Sequence, residues 1–279
     1  MDPGLRRDDG CLIMQVTELN IYPVKSTRRI ALRESEVLPR GLPWDRRWML
    51  VDDQGIFMTA RQHPMLATVQ TTIGDGVMEI TAAGRAPLQL SLQPEGRETM
   101  PVTVWKDRLA AVRVGQVADA WFSAFLGLSC NLVQLTDDLS RGVNPDYGRP
   151  GDEVSFADGF PLLLITQASL SDLNGRLEAP VEMRRFRPNL VVDGETPYAE
   201  DRWRRIRVGE VEFEGVKNCS RCVFTTIDPD SGKKHPDKEP LRTLSTYRRR
   251  PEGGVYFGQN LIPRSAGLIR VGDAVVILE

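Results

Sequence analysis

Two thiols stand three positions apart in Cys219-Ser220-Arg221-Cys222, a spacing shared by metal half-sites and redox dithiols. A zinc half-site needs two further ligands at compatible spacing. The chain offers no second C-x-x-C, only the isolated Cys11, Cys130, His63 and His235. A redox dithiol should open a helix, whose N-terminus favours the thiolate. The motif is instead succeeded by Val223-Phe224-Thr225-Thr226-Ile227, a β-branched run that reads as a strand ending in the turn Asp228-Pro229-Asp230. A third arrangement is a single thiolate ligating a soft metal centre, with Arg221 adjacent and Lys217 nearby to supply positive charge. Two inert, packed cysteines at a strand end fit the same spacing. The motif by itself leaves these readings open.

Arginines cluster at Arg184, Arg185 and Arg187, at Arg202, Arg204, Arg205 and Arg207, and at Arg248, Arg249 and Arg250. Each alone reads as a solvated loop residue. The guanidinium fork also matches a planar or tetrahedral anion, so a small anionic ligand fits the pattern. A net charge of −2 over 279 residues gives no basic face, and nucleic acid is not expected. With only two histidines, chemistry built on several imidazoles is excluded. The composition, 41% hydrophobic and 27% charged, is that of an ordinary globular chain.

Four cysteines are too few for a disulfide scaffold, and reduced thiols suit a cytoplasmic protein. No apolar run approaches the ~20 residues of a membrane helix, and Met1–Gly10 lacks a signal-peptide core. The expectation is therefore a cytoplasmic monomer without membrane contact. Residues 1–13 show no periodicity and are expected to be a disordered or misassigned extension, with Met14 as the natural start.

The elements that must position the cysteines are mostly short strands. Val16–Tyr22, Arg47–Val51, Ile56–Thr59, Thr68–Ile73, Val77–Thr81, Val102–Trp105 and Ala110–Val114 alternate or run apolar between Gly, Pro and Asp turns. Such spacing argues for antiparallel sheets or barrels. Gln116–Leu126 puts Ala118, Trp121, Phe122 and Phe125 on one helical stripe, and Gln167–Leu177 does the same with Leu170, Leu173 and Leu177 behind a Thr166 cap. Asp137–Asp158, rich in Gly, Pro and Asp, reads as a long loop, either a boundary or a lid. Gly267–Leu278 reads as a closing hairpin. The fold class is mainly β with a few helices (α+β).

The run Asn218-Cys-Ser-Arg-Cys-Val-Phe-Thr-Thr-Ile-Asp-Pro-Asp-Ser-Gly232, with Lys238-Glu-Pro-Leu-Arg-Thr-Leu244 and Tyr247-Arg248, resembles the signature of MOSC-domain proteins, among them the mitochondrial amidoxime-reducing components and related bacterial reductases. Tyr22-Pro-Val-Lys-Ser26, Asp45-Arg46-Arg47-Trp48, Thr59-Ala-Arg-Gln62, Phe186-Arg-Pro-Asn-Leu190, Phe257-Gly-Gln259 and Ile269-Arg-Val-Gly-Asp273 are in family order. The resemblance spans Met14 to Glu279. It implies a MOSC N-terminal β-barrel domain over 14–136 packed on a β-barrel MOSC domain over 137–279.

The resemblance also implies a molybdenum–molybdopterin cofactor with Cys222 as the protein ligand and catalytic centre; a thiolate suits so soft a metal. Lys25, Ser26, Arg46, Arg187, Asn189 and Ser220 would bind the cofactor's phosphate and pterin, with Cys219 a packed thiol. Arg61 and Arg248 are outer cations, Gln259 and Asn260 marginal contacts. At Asp158-Gly159-Phe160, where relatives have small hydroxyl residues after the aspartate, any contact is expected from backbone groups, with Phe160 narrowing the substrate mouth. The implied reaction is reduction of small N-hydroxylated compounds, amidoximes or hydroxylamino-purines, by two electrons and two protons with release of water. No cysteine comes after Cys222, so a separate electron-transfer protein of flavin, iron–sulfur or cytochrome type is the expected partner. The alternatives are a sulfur carrier using a Cys222 persulfide, and a non-catalytic cofactor-binding module.

Overall fold

The computed structural model describes residues 14–94 and 96–279; the expected extension over 1–13, with Cys11, lies outside the described residues. The chain runs β1 (Met14–Ile21), β2 (Ile30–Leu32), β3 (Glu34–Val37) and β4 (Trp48–Val51), then β5 (Gln70–Gly74), β6 (Val77–Thr81) and β7 (Leu88–Ser91). After β8 (Thr99–Val104) and β9 (Asp107–Arg113) come α1 (Gln116–Leu126) and β10 (Asn131–Gln134). The second half holds β11 (Leu162–Thr166), α2 (Gln167–Asn174), β12 (Leu190–Val192), β13 (Arg205–Val208) and β14 (Val211–Ser220). It ends with α3 (Leu241–Tyr247), β15 (Tyr256–Pro263), β16 (Gly267–Arg270) and β17 (Ala274–Ile277).

The largest sheet has the order β12-β11-β15-β14-β13-β17-β1-β2, and an additional β12–β1 pairing closes seven of its strands into a barrel. Every pairing in it is antiparallel except β11–β12, which α2 connects. Alternation explains why the apolar run of β11 is buried on both faces. Leu162 and Leu164 point into the barrel with Val16, Leu190, Phe213 and Leu261, whereas Leu163 and Ile165 pack outward with Leu170 and Leu173 of α2. The same logic splits β4: Trp48 and Leu50 join the cluster around Phe122 and Met78, while Met49 and Val51 join Val102, Val133 and Phe156.

A four-stranded sheet, β4-β10-β9-β8, and a three-stranded one, β5-β6-β7, make up the N-terminal part, covered by α1. Helix α1 matches its sequence reading to the residue: Ala118, Trp121 and Phe122 are buried, and Gly127 ends it at φ 73° with its N–H on the Ser123 carbonyl. Helix α2 stops at Asn174, and Thr166 caps it by accepting from the Ser169 N–H at 3.2 Å.

Three local expectations are corrected. The closing segment is no hairpin: β16 pairs with β3, and β17 with β1 and β13. The turn between them is docked on β1, where Val16 N–H donates to the Asp273 carbonyl and Gly272 N–H to the Val16 carbonyl. Val223–Thr226 is a single 3₁₀ turn, because Thr225 and Thr226 donate their hydroxyls back to the carbonyls of Cys222 and Val223. Ile56–Thr59 contributes bridges rather than a strand. β1, from the first half of the chain, completes the barrel otherwise built from strands of the second half. The 137–158 loop is pinned: Arg141 donates to the carbonyls of Ser155, Ala157 and Asp158 and pairs with Asp107.

Candidate functional site

Segments from both halves of the chain converge on one cleft. The chain leaving β1 turns at Tyr22–Thr27, tied by the Tyr22 N–H to Asp45 Oδ1 at 2.8 Å and the Lys25 N–H to the Trp48 carbonyl at 2.7 Å. Arg46 N–H returns to the Tyr22 carbonyl, and Phe156 N–H closes on the Arg46 carbonyl, each at 2.9 Å. From the other side, β14 is bulged between Gly215 and Lys217 and again between Asn218 and Ser220. Bulges re-aim the residues beyond them, and here they deliver Cys219-Ser220-Arg221-Cys222 to the cleft.

All seven residues expected at the site line this one cleft: Lys25, Ser26, Arg46, Arg187, Asn189, Ser220 and Cys222. Its cavity volume is about 130 Å³. Arg61, Cys219, Arg221, Phe160 and Asn260 line it too, whereas Arg248 and Gln259 do not. Arg248 pairs with Asp201 at 2.5 Å, and Gln259 accepts from Asn218 Nδ2 at 2.7 Å.

The lining holds six cations, Lys25, Arg46, Arg61, Arg185, Arg187 and Arg221, against the single carboxylate Asp158. Arg46 and Arg187 both lie over the Tyr22 ring, 4.2 and 4.0 Å from its centroid. Burial drives the Tyr22 hydroxyl up to about 12 against the pull of these two cations. Burial, and then Arg46, push Arg187 down to about 9. Crowded, desolvated cations of this kind are relieved by an anion. Burial likewise lowers Lys25 to about 8, opposed by Asp158. Lys25 Nζ donates to Asp158 Oδ1 at 2.5 Å and to the Phe156 carbonyl at 2.7 Å. Burial raises Asp158, but Lys25 and Arg61 outweigh it and hold the carboxyl well below the usual range. Asp158 faces the cleft, its side chain 59% exposed.

Cys222 Sγ accepts from Arg61 Nη1 at 3.7 Å, while Cys219 Sγ takes the Arg221 Nη1 donor at 3.0 Å and packs beside Phe186 and Phe257. Both cysteines are free thiols. Among the described residues no group of three or more His, Cys, Asp and Glu side chains is placed to hold a metal ion. A metal bound at Cys222 must therefore bring other ligands with it. Asn189 Oδ1 accepts from Arg46 at 3.0 Å and from the Leu163 N–H at 3.2 Å, and its Nδ2 donates to the Asn20 carbonyl at 3.0 Å. That amide spends its bonds positioning Arg46 and has one N–H to spare for a ligand.

Two features went unread in the sequence. Ser26, Arg46 and Arg187 carry positive φ (76°, 49° and 60°), a region non-glycine residues enter at a cost and which gathers at functional sites. The Asp158 side chain makes contacts of its own beside the backbone carbonyl that accepts from Arg141: it joins Lys25, Arg61 and the Trp105 indole N–H.

Two family profiles match the chain, the MOSC N-terminal beta barrel domain over residues 13–129 and the MOSC domain over residues 151–276. Mitochondrial amidoxime-reducing component 1 of Mus musculus is 36% identical over 280 residues, covering 94% of this chain and 82% of the relative. Its Homo sapiens counterpart is 35% identical over 285 residues with the same coverage. Molybdenum cofactor sulfurase of Oryza sativa subsp. japonica is 34% identical over 257 residues, which is 85% of this chain and 31% of that protein. No helix among the described residues is long and apolar enough to cross a membrane.

Proposed function

Since the chain belongs to the MOSC-domain family, we propose that it binds a molybdenum–pterin cofactor through Cys222 and reduces N-hydroxylated compounds with electrons from a separate donor protein. The observation that carries this reading is the convergence of four separated stretches, 25–26, 46, 187–189 and 220–222, on one cation-rich cleft that contains a free thiol. The donor set fits the cofactor. Lys25, Arg46 and Arg187 would neutralise its phosphate, and the hydroxyls of Ser26 and Ser220 would add neutral donors. Asn189 would hold Arg46 in place. Cys222 would be the soft ligand, with the Arg61 guanidinium beside its sulfur. When bound, the molybdenum supplies the two-electron redox chemistry, and the protein orients, charges and desolvates around it.

The amidoxime-reducing relatives, aligned over most of both chains, favour N–O reduction. A second reading, sulfur transfer through a Cys222 persulfide, is favoured by the rice sulfurase match. Elemental analysis of native protein beside Cys222→Ala tests the metal, with molybdenum expected in the first and absent from the second. Benzamidoxime turnover with an artificial electron donor tests the reaction; no turnover by molybdenum-loaded protein sinks it. A mass increase of one sulfur on Cys222 in metal-free protein would support the second reading instead.

A further inference from the structure

We propose that Trp105, Arg61 and Asp158 form a substrate-recognition wall that selects planar N-hydroxylated compounds carrying N–H donors beside the N–O bond. The inference rests on the reduction reading above and concerns which substrates the cleft accepts.

Trp105 occupies the tight turn between β8 and β9, projecting from the N-terminal part toward the cleft. It is 49% exposed, and its φ is 57°. A large aromatic in a left-handed conformation is strained and persists where its surroundings fix it. Here they do. The indole N–H donates to Asp158 Oδ1 at 3.3 Å, the Arg61 guanidinium lies 4.4 Å from the ring, and Phe57 packs at 5.1 Å. The ring is held rigid at both its edge and one face while much of its surface stays open. That is a platform for a flat ligand.

Asp158 supplies the second element of recognition. Its Oδ1 is taken by Lys25 and Trp105, but Oδ2 has only Arg61, at 3.6 Å. An ionised carboxylate is purely an acceptor with about four lone-pair sites, so Oδ2 has unused capacity facing the cleft. It is the one carboxylate lining a cleft otherwise lined with cations, and it can take an N–H from a ligand. An N-oxide without N–H offers it nothing. Arg61 links this wall to Cys222 Sγ, 3.7 Å from Nη1. A planar amidoxime stacked on Trp105 with its amino group on Asp158 therefore lies one side chain away from the thiol. Shape is read by the indole, donor pattern by the carboxylate.

The test measures binding separately from reduction, by calorimetry on the molybdenum-loaded protein with benzamidoxime and with pyridine N-oxide, which has no N–H. Asp158→Asn should weaken benzamidoxime about tenfold, the loss of one charge-assisted hydrogen bond, and leave pyridine N-oxide within about twofold. Trp105→Leu should weaken both, each by about three- to tenfold. Affinities are expressed per molybdenum-loaded site, and molybdenum content should be unchanged in Trp105→Leu. Unaltered benzamidoxime affinity in Asp158→Asn would overturn the proposal. So would loss of molybdenum from both variants, which would assign these residues to the cofactor pocket. Wild-type protein that binds benzamidoxime with this pattern yet never reduces it would refute the reduction reading and leave the wall standing.

Discussion

Arg61 holds its Nη1 3.7 Å from the Cys222 sulfur, and the same guanidinium reaches Asp158 and stacks on Trp105. If Cys222 holds molybdenum as proposed, a cation so placed acts on that ligand through its sulfur. Arg61→Gln should therefore reduce retention of molybdenum by about 10–100-fold, the usual consequence of deleting an outer partner of a ligand. Cys219→Ser should retain the metal, since its sulfur is engaged by Arg221 and packed with Phe186 and Phe257. Molybdenum content after extensive dialysis measures both.

Arg46 is the most heavily bonded cation of the proposed phosphate-binding group. It joins Asp45 at 2.6 Å, Asn189 at 3.0 Å and the Arg187 carbonyl at 3.1 Å. Arg46→Met would leave Asp45, 2% exposed, as a buried charge without its cation. Such a change costs about 3–5 kcal/mol. The double variant Asp45→Asn/Arg46→Met should recover part of it, as chemical denaturation would reveal.

Glu200 is fully buried, and its carboxylate is met by the hydroxyls of Thr166 and Ser169 and the Thr166 N–H. No cation pairs with it among the described residues. Burial raises its pKa above the ordinary carboxylate value, outweighing those hydrogen bonds. The folded state thus binds this proton more tightly than the unfolded chain. The stability contribution is complete below the unfolded value near pH 4.5 and is lost as pH rises through the folded value. Glu200→Gln should flatten that decline and match or exceed wild type at pH 8. A steeper decline in the variant would refute this.

Gly215 sits at the first bulge of β14, where an added Cβ would lie 2.0 Å from the Trp203 carbonyl oxygen and 2.8 Å from Gln259 Nε2. Gly215→Ala should destabilise by about 3 kcal/mol, at the upper end of overpacking costs, and disturb the path of the strand that delivers Cys219 and Cys222. Gly74→Ala, where nothing lies within 4 Å, is the matched control and should be close to neutral. Thermal unfolding of the two variants makes the comparison.

Elements with strong local patterns were legible: α1 from its aromatic stripe, β6 from its alternation, β11 from an apolar run too short for anything but a buried strand. The convergence of Lys25, Arg46, Arg187 and Cys222 was legible only through several motifs in family order, because no local rule brings positions so distant together. Val223–Thr226 misled because its β-branched residues favour a strand, yet two threonine hydroxyls turn back on the preceding carbonyls. The terminal segment misled because Val-Gly-Asp is good turn chemistry, but its backbone bonds go to β1. The side chain of Asp158 was missed because its partners Lys25, Arg61 and Trp105 come from three remote loops.

β1 pairs with β12 through Val16 and Val192, and with β17 through Met14 and Val275. The strand translated first among the described residues thus waits for the last ones before its edges are satisfied. Loop closure on that scale carries an entropic cost that no local contact offsets. The two banks of the cleft, Lys25 just beyond β1 and Cys222 just beyond β14, are consequently brought into lasting register only when the ribosome has released β17. A polypeptide stalled before β17 would expose the unpaired edges of β1 and β13 in place of a closed barrel.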